Sequence, residues 1–240
     1  MPDASIVKSL APTGTLRASI NLGNPVLAQG TASAPAGVTV DLSREIATRL
    51  GVPVAFSCFD AARDSFDALR TGAADVGFLA IEPARAEQVR FTAPYVLIEG
   101  VFAVPDSSPV ADAAGIDQDG IRIGVKEGSA YDLFLTRTLT NAQLVRGRES
   151  VEVFRAEGLE AVAGIRQPLS RVVADDPSLR LVEPAFMQIR QAVAVTPDRS
   201  SAARAFLHDL VEELKENGFV ADALRRAGQD ATVAGPAPRA

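Results

Sequence analysis

Short apolar runs that suit β-strands alternate along this chain with segments whose apolar residues recur at helical spacing. The run from Leu16 to Leu22 is strand-like, and Leu42, Ile46 and Leu50 then recur at four-residue intervals on one predicted helix face. A second strand-like run follows at 52–56, and the same alternation continues towards the C-terminus. This order predicts an α/β fold with largely parallel sheets.

An arginine between two strand-like runs is the best candidate for binding an anion. Residues 76–81 are apolar and strand-like, Pro83 suits the first position of a short helix, and Arg85 follows it. Loops at the ends of parallel strands are where α/β proteins bind ligands. A guanidinium is always charged, and its paired donors match a carboxylate. The alternative is an ordinary solvated arginine on the surface.

Several motifs around this arginine occur in an order that resembles a known family. The chain reads GVTVDL at 37–42, FDALRTG at 66–72, Asp75, EPAR at 82–85, FTAPY at 91–95 and KEGSAY at 126–131. Together they resemble the type 3 extracellular solute-binding proteins, the polar amino-acid receptors of ABC importers. The likeness extends over most of residues 14–228.

The resemblance implies a two-lobed fold of the type II periplasmic-binding-protein kind, with a ligand cleft between the lobes and two hinge crossings. We place lobe 1 at residues 1–99 plus 190–240 and lobe 2 at 100–189. The tail at 229–240 is rich in Gly, Pro and Ala, which predicts disorder.

The function implied by the resemblance is capture of a small carboxylate-bearing molecule, an amino acid or related compound, by hinge closure. An ABC permease is the implied partner, the protein is expected to be a monomer, and no cofactor is expected. The family's location implies the periplasm. The N-terminus shows no secretory signal, so a cytoplasmic location is the expectation if Met1 is native.

The same resemblance implies which groups contact the ligand. Arg85 takes the carboxylate, beside backbone groups of Ala80 and Ile81 in lobe 1. Lobe 2 contributes backbone amides that follow a strand and open a helix, where an anion is favoured. These are the amides of Gly128, Ser129 and Ala130. Ser129 also suits an ordinary helix N-cap, and the two roles are compatible.

Departures from the family pattern leave the identity of the ligand open. The aspartate with which such receptors hold the ligand's ammonium is absent at Gly164 or Ile165. Glu82 is either a replacement acid or a helix cap. Gln167 is expected on a loop beside the ligand. Asn24 either hydrogen-bonds the ligand or serves its own turn.

Other classes of function fit the sequence less well. A net charge of −6 argues against nucleic acid, and no apolar run approaches the roughly 20 residues that span a bilayer. We predict no metal site and no catalytic residue, because metal-ligand spacing and nucleophile motifs are absent. Two alternatives stay open: a cyclohexadienyl dehydratase-like enzyme with Glu82 or Glu127 as its acid, and a ligand-sensing module.

Overall fold

The computed structural model describes residues 2–237 and confirms the predicted α/β class. The strands are β1 (Leu16–Asn21), β2 (Gln29–Thr31), β3 (Ala34–Ala36), β4 (Val54–Phe59), β5 (Val76–Ala80), β6 (Arg90–Pro105), β7 (Arg122–Lys126), β8 (Gln143–Gly147), β9 (Ala161–Ile165), β10 (Leu179–Val195) and β11 (Thr232–Val233). The helices are α1 (Ala4–Leu10), α2 (Val38–Leu50), α3 (Ala62–Arg70), α4 (Pro83–Ala86), α5 (Ala130–Thr138), α6 (Ser150–Glu157), α7 (Arg166–Asp175), α8 (Ser201–Glu216) and α9 (Phe219–Arg226), with a 3-10 helix at Ala113–Ile116.

The chain divides into two compact units. The first unit comprises the residues up to Leu97 and those from Arg190 onward, and the second unit is Ile98–Ile189. Both boundaries fall inside the longest strands, β6 with 16 residues and β10 with 17. The chain therefore passes between the units twice in extended conformation.

The first unit has a sheet in the order β4-β1-β5-β10. β1 runs parallel to both β4 and β5, and β10 is antiparallel to β5. The carboxyl ends of the parallel strands, at Asn21, Phe59 and Ala80, consequently lie at one edge of the sheet. The loops of the candidate site leave the sheet from this edge.

Helix α3 packs closely on β5 in the same unit. Leu69 and Leu79 belong to one buried cluster, against which Phe66 packs. A Cβ atom at Gly77 would lie 3.1 Å from Leu69 Cδ2, so the absence of a side chain there permits the close approach. This packing fixes Phe66 near the carboxyl end of β5.

The second unit has a sheet in the order β6-β9-β7-β8. β7 is parallel to β8 and β9, and β6 is antiparallel to β9. Its core is a buried apolar cluster of Val101, Ala103, Phe154, Leu159, Val162, Leu169 and Leu179. The carboxyl ends of the three parallel strands, at Lys126, Gly147 and Ile165, again share one edge.

The segment 229–240, predicted to be a disordered tail, differs from that prediction over its described part. β11 pairs antiparallel with β6, and the Ala237 N–H donates to Glu212 Oε2 at 3.0 Å. These are largely main-chain contacts, which a composition rich in Gly, Pro and Ala does not reveal. Residues 238–240 of the prediction lie outside the described residues.

No helix between residues 2 and 237 is both long and apolar enough to cross a membrane.

The chain's two tyrosines offer a matched test of packing in the two units. Tyr95 in the first unit is fully buried, and its hydroxyl has no hydrogen-bond partner within residues 2–237. Tyr131 in the second unit is also buried, but its hydroxyl is hydrogen-bonded with Ser150 and Ser129. A buried hydroxyl without a partner lowers stability, whereas a bonded one contributes to it.

We therefore expect Tyr95→Phe to raise the free energy of unfolding by about 1 kcal/mol and Tyr131→Phe to lower it by about 1 kcal/mol. Urea denaturation of both variants, followed by circular dichroism, measures these changes. A loss of stability in Tyr95→Phe as large as that in Tyr131→Phe would contradict the expectation.

Candidate functional site

Arg85 lies in the first unit, on the short helix α4 that follows β5. Only 3% of the residue is exposed, so the interpretation as a solvated surface arginine is wrong. Its Nη1 donates to the Ala80 carbonyl at 3.4 Å, and its Cζ lies 6.0 Å from the centroid of the Phe66 ring. The main chain and an aromatic face therefore hold the guanidinium at the carboxyl edge of the sheet.

Burial and a neighbouring acid act in opposite directions on the charge of Arg85. Burial lowers the pKa of the Arg85 guanidinium to about 10, while the Glu82 carboxylate raises it. The guanidinium is therefore still protonated at neutral pH. A charge held out of water interacts more strongly with an opposite charge than an exposed one does.

Glu82 immediately precedes α4 and is also only 3% exposed. Its carbonyl accepts hydrogen bonds from the Arg85 N–H at 3.0 Å and the Ala86 N–H at 2.9 Å. Its carboxylate, in contrast, makes no capping hydrogen bond to this helix within the described chain. The interpretation of the Glu82 side chain as a helix cap is therefore wrong. A buried carboxylate requires a compensating charge, and Arg85 provides one.

The backbone groups expected beside Arg85 already have partners in the first unit. The Ile81 N–H donates to the Arg190 carbonyl at 2.8 Å, and the Ala80 carbonyl accepts from Arg85. Both contacts hold the end of β5 and the arginine in place. Their contact with a ligand stays a prediction.

Asn24 stabilises the turn in which it lies. Its Oδ1 accepts from the Val26 N–H at 3.3 Å, and its carbonyl accepts from the Leu27 and Ala28 N–H groups at 3.0 Å each. The side chain is buried. These bonds match the turn interpretation, and a hydrogen bond to a ligand stays a prediction.

Ser129 is the N-cap of α5 in the second unit. Its Oγ accepts from the Asp132 N–H at 3.1 Å, and its own N–H donates to the Lys126 carbonyl at 3.1 Å. The Gly128 N–H donates to the Asp132 carboxylate at 2.9 Å. An internal carboxylate thus already contacts an amide at this helix start, where a ligand anion was expected. Ala130 is the first residue of α5. Contacts of the Gly128, Ser129 and Ala130 amides with a ligand stay predictions.

Gln167 is not on a loop, because α7 begins one residue earlier, at Arg166. Leu169 anchors this helix in the buried cluster, so the helix starts directly at the end of β9. Arg166 donates to Glu183 at 2.5 and 2.8 Å and also to Glu99. Two carboxylates therefore compensate its charge.

Sequence reasoning missed an acidic residue just after a strand in each unit, at the carboxyl edge of the sheet. β4 continues to Phe59, which places Asp60 directly after its carboxyl end. A Cβ atom at Gly23 would overlap the Asp60 carbonyl, so the loops after β1 and β4 touch. In the second unit, Glu149 follows the end of β8 and lies 2.6 Å from Lys126 Nζ. The sequence signal that would have identified Asp60 and Glu149 is an acidic residue within a few positions of the end of a predicted strand.

Groups of acidic, histidine and cysteine side chains that could hold a metal ion are absent from the part of the chain that the structure describes.

A known protein family matches most of the chain. The family model described as bacterial extracellular solute-binding proteins, family 3, matches residues 21–229. A search of curated protein sequences gave no match.

Solved structures of amino-acid-binding proteins resemble the chain closely in fold. An amino acid ABC transporter substrate-binding protein, AbpA, from Streptococcus pneumoniae, bound to L-arginine, aligns with TM-score 0.74 and 20% identity over 92% of this chain and 97% of that one. The solute receptor for L-cysteine of Neisseria gonorrhoeae aligns with TM-score 0.77 and 19% identity over 92% of each chain. The cysteine-binding protein from Campylobacter jejuni aligns with TM-score 0.76 and 18% identity over 95% and 99%. These likenesses confirm the type II periplasmic-binding-protein fold.

Proposed function

Because the chain belongs to family 3 of the bacterial extracellular solute-binding proteins, we propose that it captures a small carboxylate-bearing molecule for an ABC importer. An amino acid or a related compound is the proposed ligand. The family's extracellular description supports action outside the cytoplasm. The proposed partner is the permease, which the protein meets as a monomer.

The observation that carries this proposal is the buried and still charged Arg85. It lies after the carboxyl end of β5, where α/β proteins bind ligands, and its pKa of about 10 keeps it cationic at neutral pH. A guanidinium in this setting favours a carboxylate by charge and by paired donors. The binding of L-arginine by the Streptococcus pneumoniae protein supports an amino-acid-like ligand.

We further propose that capture involves hinge closure. β6 and β10 carry the chain between the units, so these strands are the proposed hinge. A ligand stabilises a closed form only by the difference between its affinities for the two forms. The ligand must therefore bind the closed form more tightly than the open form.

A thermal-shift screen tests the proposal. The panel contains amino acids, their deaminated carboxylates and small dicarboxylates, and an external dye is needed because the chain has no Trp. A ligand at about 100 times its Kd adds about 2.7 kcal/mol of stability, which is expected to raise Tm by about 5–10 °C. The amides of the same acids, which lack the carboxylate charge, serve as controls. Equal shifts with acids and amides would contradict a carboxylate anchor.

The dehydratase alternative has a separate test. Incubation with prephenate or arogenate is expected to give no aromatic product. Product whose formation is lost in Glu82→Gln or Glu127→Gln would replace the binding proposal by catalysis.

A further inference from the structure

The segment after α9 returns to β6 at the end of the first unit. β11 pairs antiparallel with β6, and its two residues lie opposite Leu97 and Val96. The next residue continues the contact, because the Ala234 N–H donates to the Tyr95 carbonyl at 3.0 Å. Leu97 is the last residue of the first unit, so this pairing ends where the proposed hinge begins. We call residues 232–237 the C-terminal strap.

An ion pair on α8 fastens the C-terminal strap to the same strand. The Lys215 side chain is only 4% exposed, and its Nζ lies 2.6 Å from Glu212 Oε1. The ammonium donates to the Pro94 carbonyl of β6 at 3.2 Å and to the Gly235 carbonyl of the strap at 2.9 Å. Glu212 Oε2 accepts from the Ala237 N–H at 3.0 Å. The strap is therefore bonded both to β6 and to α8.

Coverage of a strand edge does not account for this ion pair. Main-chain pairing alone covers an edge, whereas taking an ammonium out of water carries a desolvation cost. The contacts of Lys215 with one carboxylate and two carbonyls offset this cost, and one of those carbonyls belongs to β6 itself. The ion pair therefore restrains β6 as well as the strap.

A restraint at this place bears on hinge bending. A hinge absorbs a domain rotation through changes of φ and ψ at a few residues. Residues 94–97 of β6 are less able to take part in such changes, because bending there would break the hydrogen bonds to the strap and to Lys215. The bend in β6 is therefore expected beyond Leu97.

We propose that the C-terminal strap, fastened by Lys215 and Glu212, fixes the first-unit border of the hinge and thereby favours closure on the ligand. This inference rests on the proposed function and assigns named residues to the control of its hinge. A hinge with one fixed border has fewer open conformations to lose when the protein closes. The strap therefore tightens ligand binding by lowering the conformational entropy that closure loses.

Two kinds of variant release the strap. Lys215→Met combined with Glu212→Gln removes both charges of the ion pair, so neither is left buried without the other. Ala234→Pro acts from the strap itself, because it removes an N–H through which the strap donates to β6. The control is Glu213→Gln, a change of the same chemistry at the neighbouring acid of α8, whose carboxylate pairs with Arg49 on α2.

Hydrogen–deuterium exchange of the ligand-free proteins, followed by mass spectrometry, measures the restraint directly. Peptides that contain residues 95–97 are expected to exchange roughly 10-fold faster, or more, in both release variants than in the wild type. Peptides from β1 and β5 are expected to exchange at the wild-type rate, which excludes a general loss of the fold. Glu213→Gln is expected to match the wild type at residues 95–97.

Calorimetric titration measures the consequence for binding. It is run with L-arginine, L-cysteine and any other amino acid that raises Tm in the screen. Both release variants are expected to bind about 3- to 10-fold more weakly than the wild type, and Glu213→Gln to stay within about twofold of it. A strap that only stabilises the first unit would instead accelerate exchange and lower Tm without changing Kd.

The outcomes separate this inference from the proposed function. An unchanged Kd in both release variants, or unchanged exchange at residues 95–97, overturns the role of the strap and leaves solute binding intact. Tighter binding by these variants has the same meaning, because the strap would then oppose closure. Failure of every ligand in the screen to bind the wild type removes the proposed function, and the inference with it.

Discussion

Replacing Arg85 by alanine is expected to weaken ligand binding by about 2–5 kcal/mol, which is roughly 30-fold or more in Kd. The reason is that the guanidinium is the buried cation at the carboxyl edge of the first sheet, and alanine removes the charge and the paired donors that are proposed to bind the ligand carboxylate. Calorimetric titration with the amino acid that gives the largest thermal shift in the wild type measures the change.

Loss of the fold has to be separated from loss of the anchor. The same substitution at Arg90 is the matched control, because that arginine is exposed and donates to the Ala86 and Val89 carbonyls, at 3.2 and 3.0 Å. Combining Arg85→Ala with Glu82→Gln removes the charges of both buried side chains, so stability is expected to recover while the anchor stays absent. Arg85→Lys keeps the charge but not the paired donors, so an intermediate affinity is expected. Unchanged affinity in a folded Arg85→Ala variant would contradict the proposed function.

The fold could be predicted from the sequence because its signals are local. The spacing of Leu42, Ile46 and Leu50 identified α2, and the apolar run before Arg85 identified β5. Helix α1 was missed, although Asp3 caps it by accepting from the Ser5 N–H at 2.7 Å. Its stability depends on packing of Leu10, a tertiary effect that no local pattern carries.

The site was less predictable because burial and hydrogen bonding depend on residues distant in the sequence. The position of Arg85 followed from a strand, a turn and a proline, all within one short segment. That Glu82 is buried without capping α4, and that Asp132 engages the Gly128 amide, depend on side-chain packing. The spacing of residues in the sequence predicts which side chains lie at a strand end. It does not predict which acidic side chain compensates the charge of which basic one.

A second large effect is expected from Asp75, which directly precedes β5, whereas Arg85 lies on α4 beyond the other end of that strand. Its carboxylate is 0% exposed and accepts from Arg17 Nη2 at 2.7 Å, Arg17 Nε at 2.9 Å and Arg199 Nη2 at 3.1 Å. Arg199 also donates to the Ser9 carbonyl at 2.6 Å. Asp75 therefore connects β1 and the segment before α8 to the amino end of β5. Through its bond to Ser9, Arg199 also connects this segment to α1.

Asp75→Ala is expected to lower the free energy of unfolding by about 3–5 kcal/mol, because two arginines lose their shared buried partner and repel each other. Urea denaturation measures the loss. The control is Asp67→Ala on α3, whose carboxylate pairs with Arg70 at 3.0 Å but is 48% exposed, so a loss of at most about 1 kcal/mol is expected there. Equal losses in the two variants would show that Asp75 does not have this role.

The five residues of β5 separate Asp75 from the Arg85 segment by roughly 16 Å. We therefore expect Asp75 to control stability and Arg85 to control ligand binding, each independently of the other. In folded protein at low temperature, Asp75→Ala is expected to keep ligand affinity within about threefold of the wild type, since the effects of distant, independent sites are nearly additive. The double variant Arg85→Ala with Glu82→Gln is expected to show the reverse pattern: ligand affinity is lost while stability is largely kept. A loss of affinity in folded Asp75→Ala comparable to that of Arg85→Ala would mean that the amino end of β5 also controls binding. Asp75 and Arg85 would then both contribute to ligand binding, and Asp75 would not be a residue of structural importance alone.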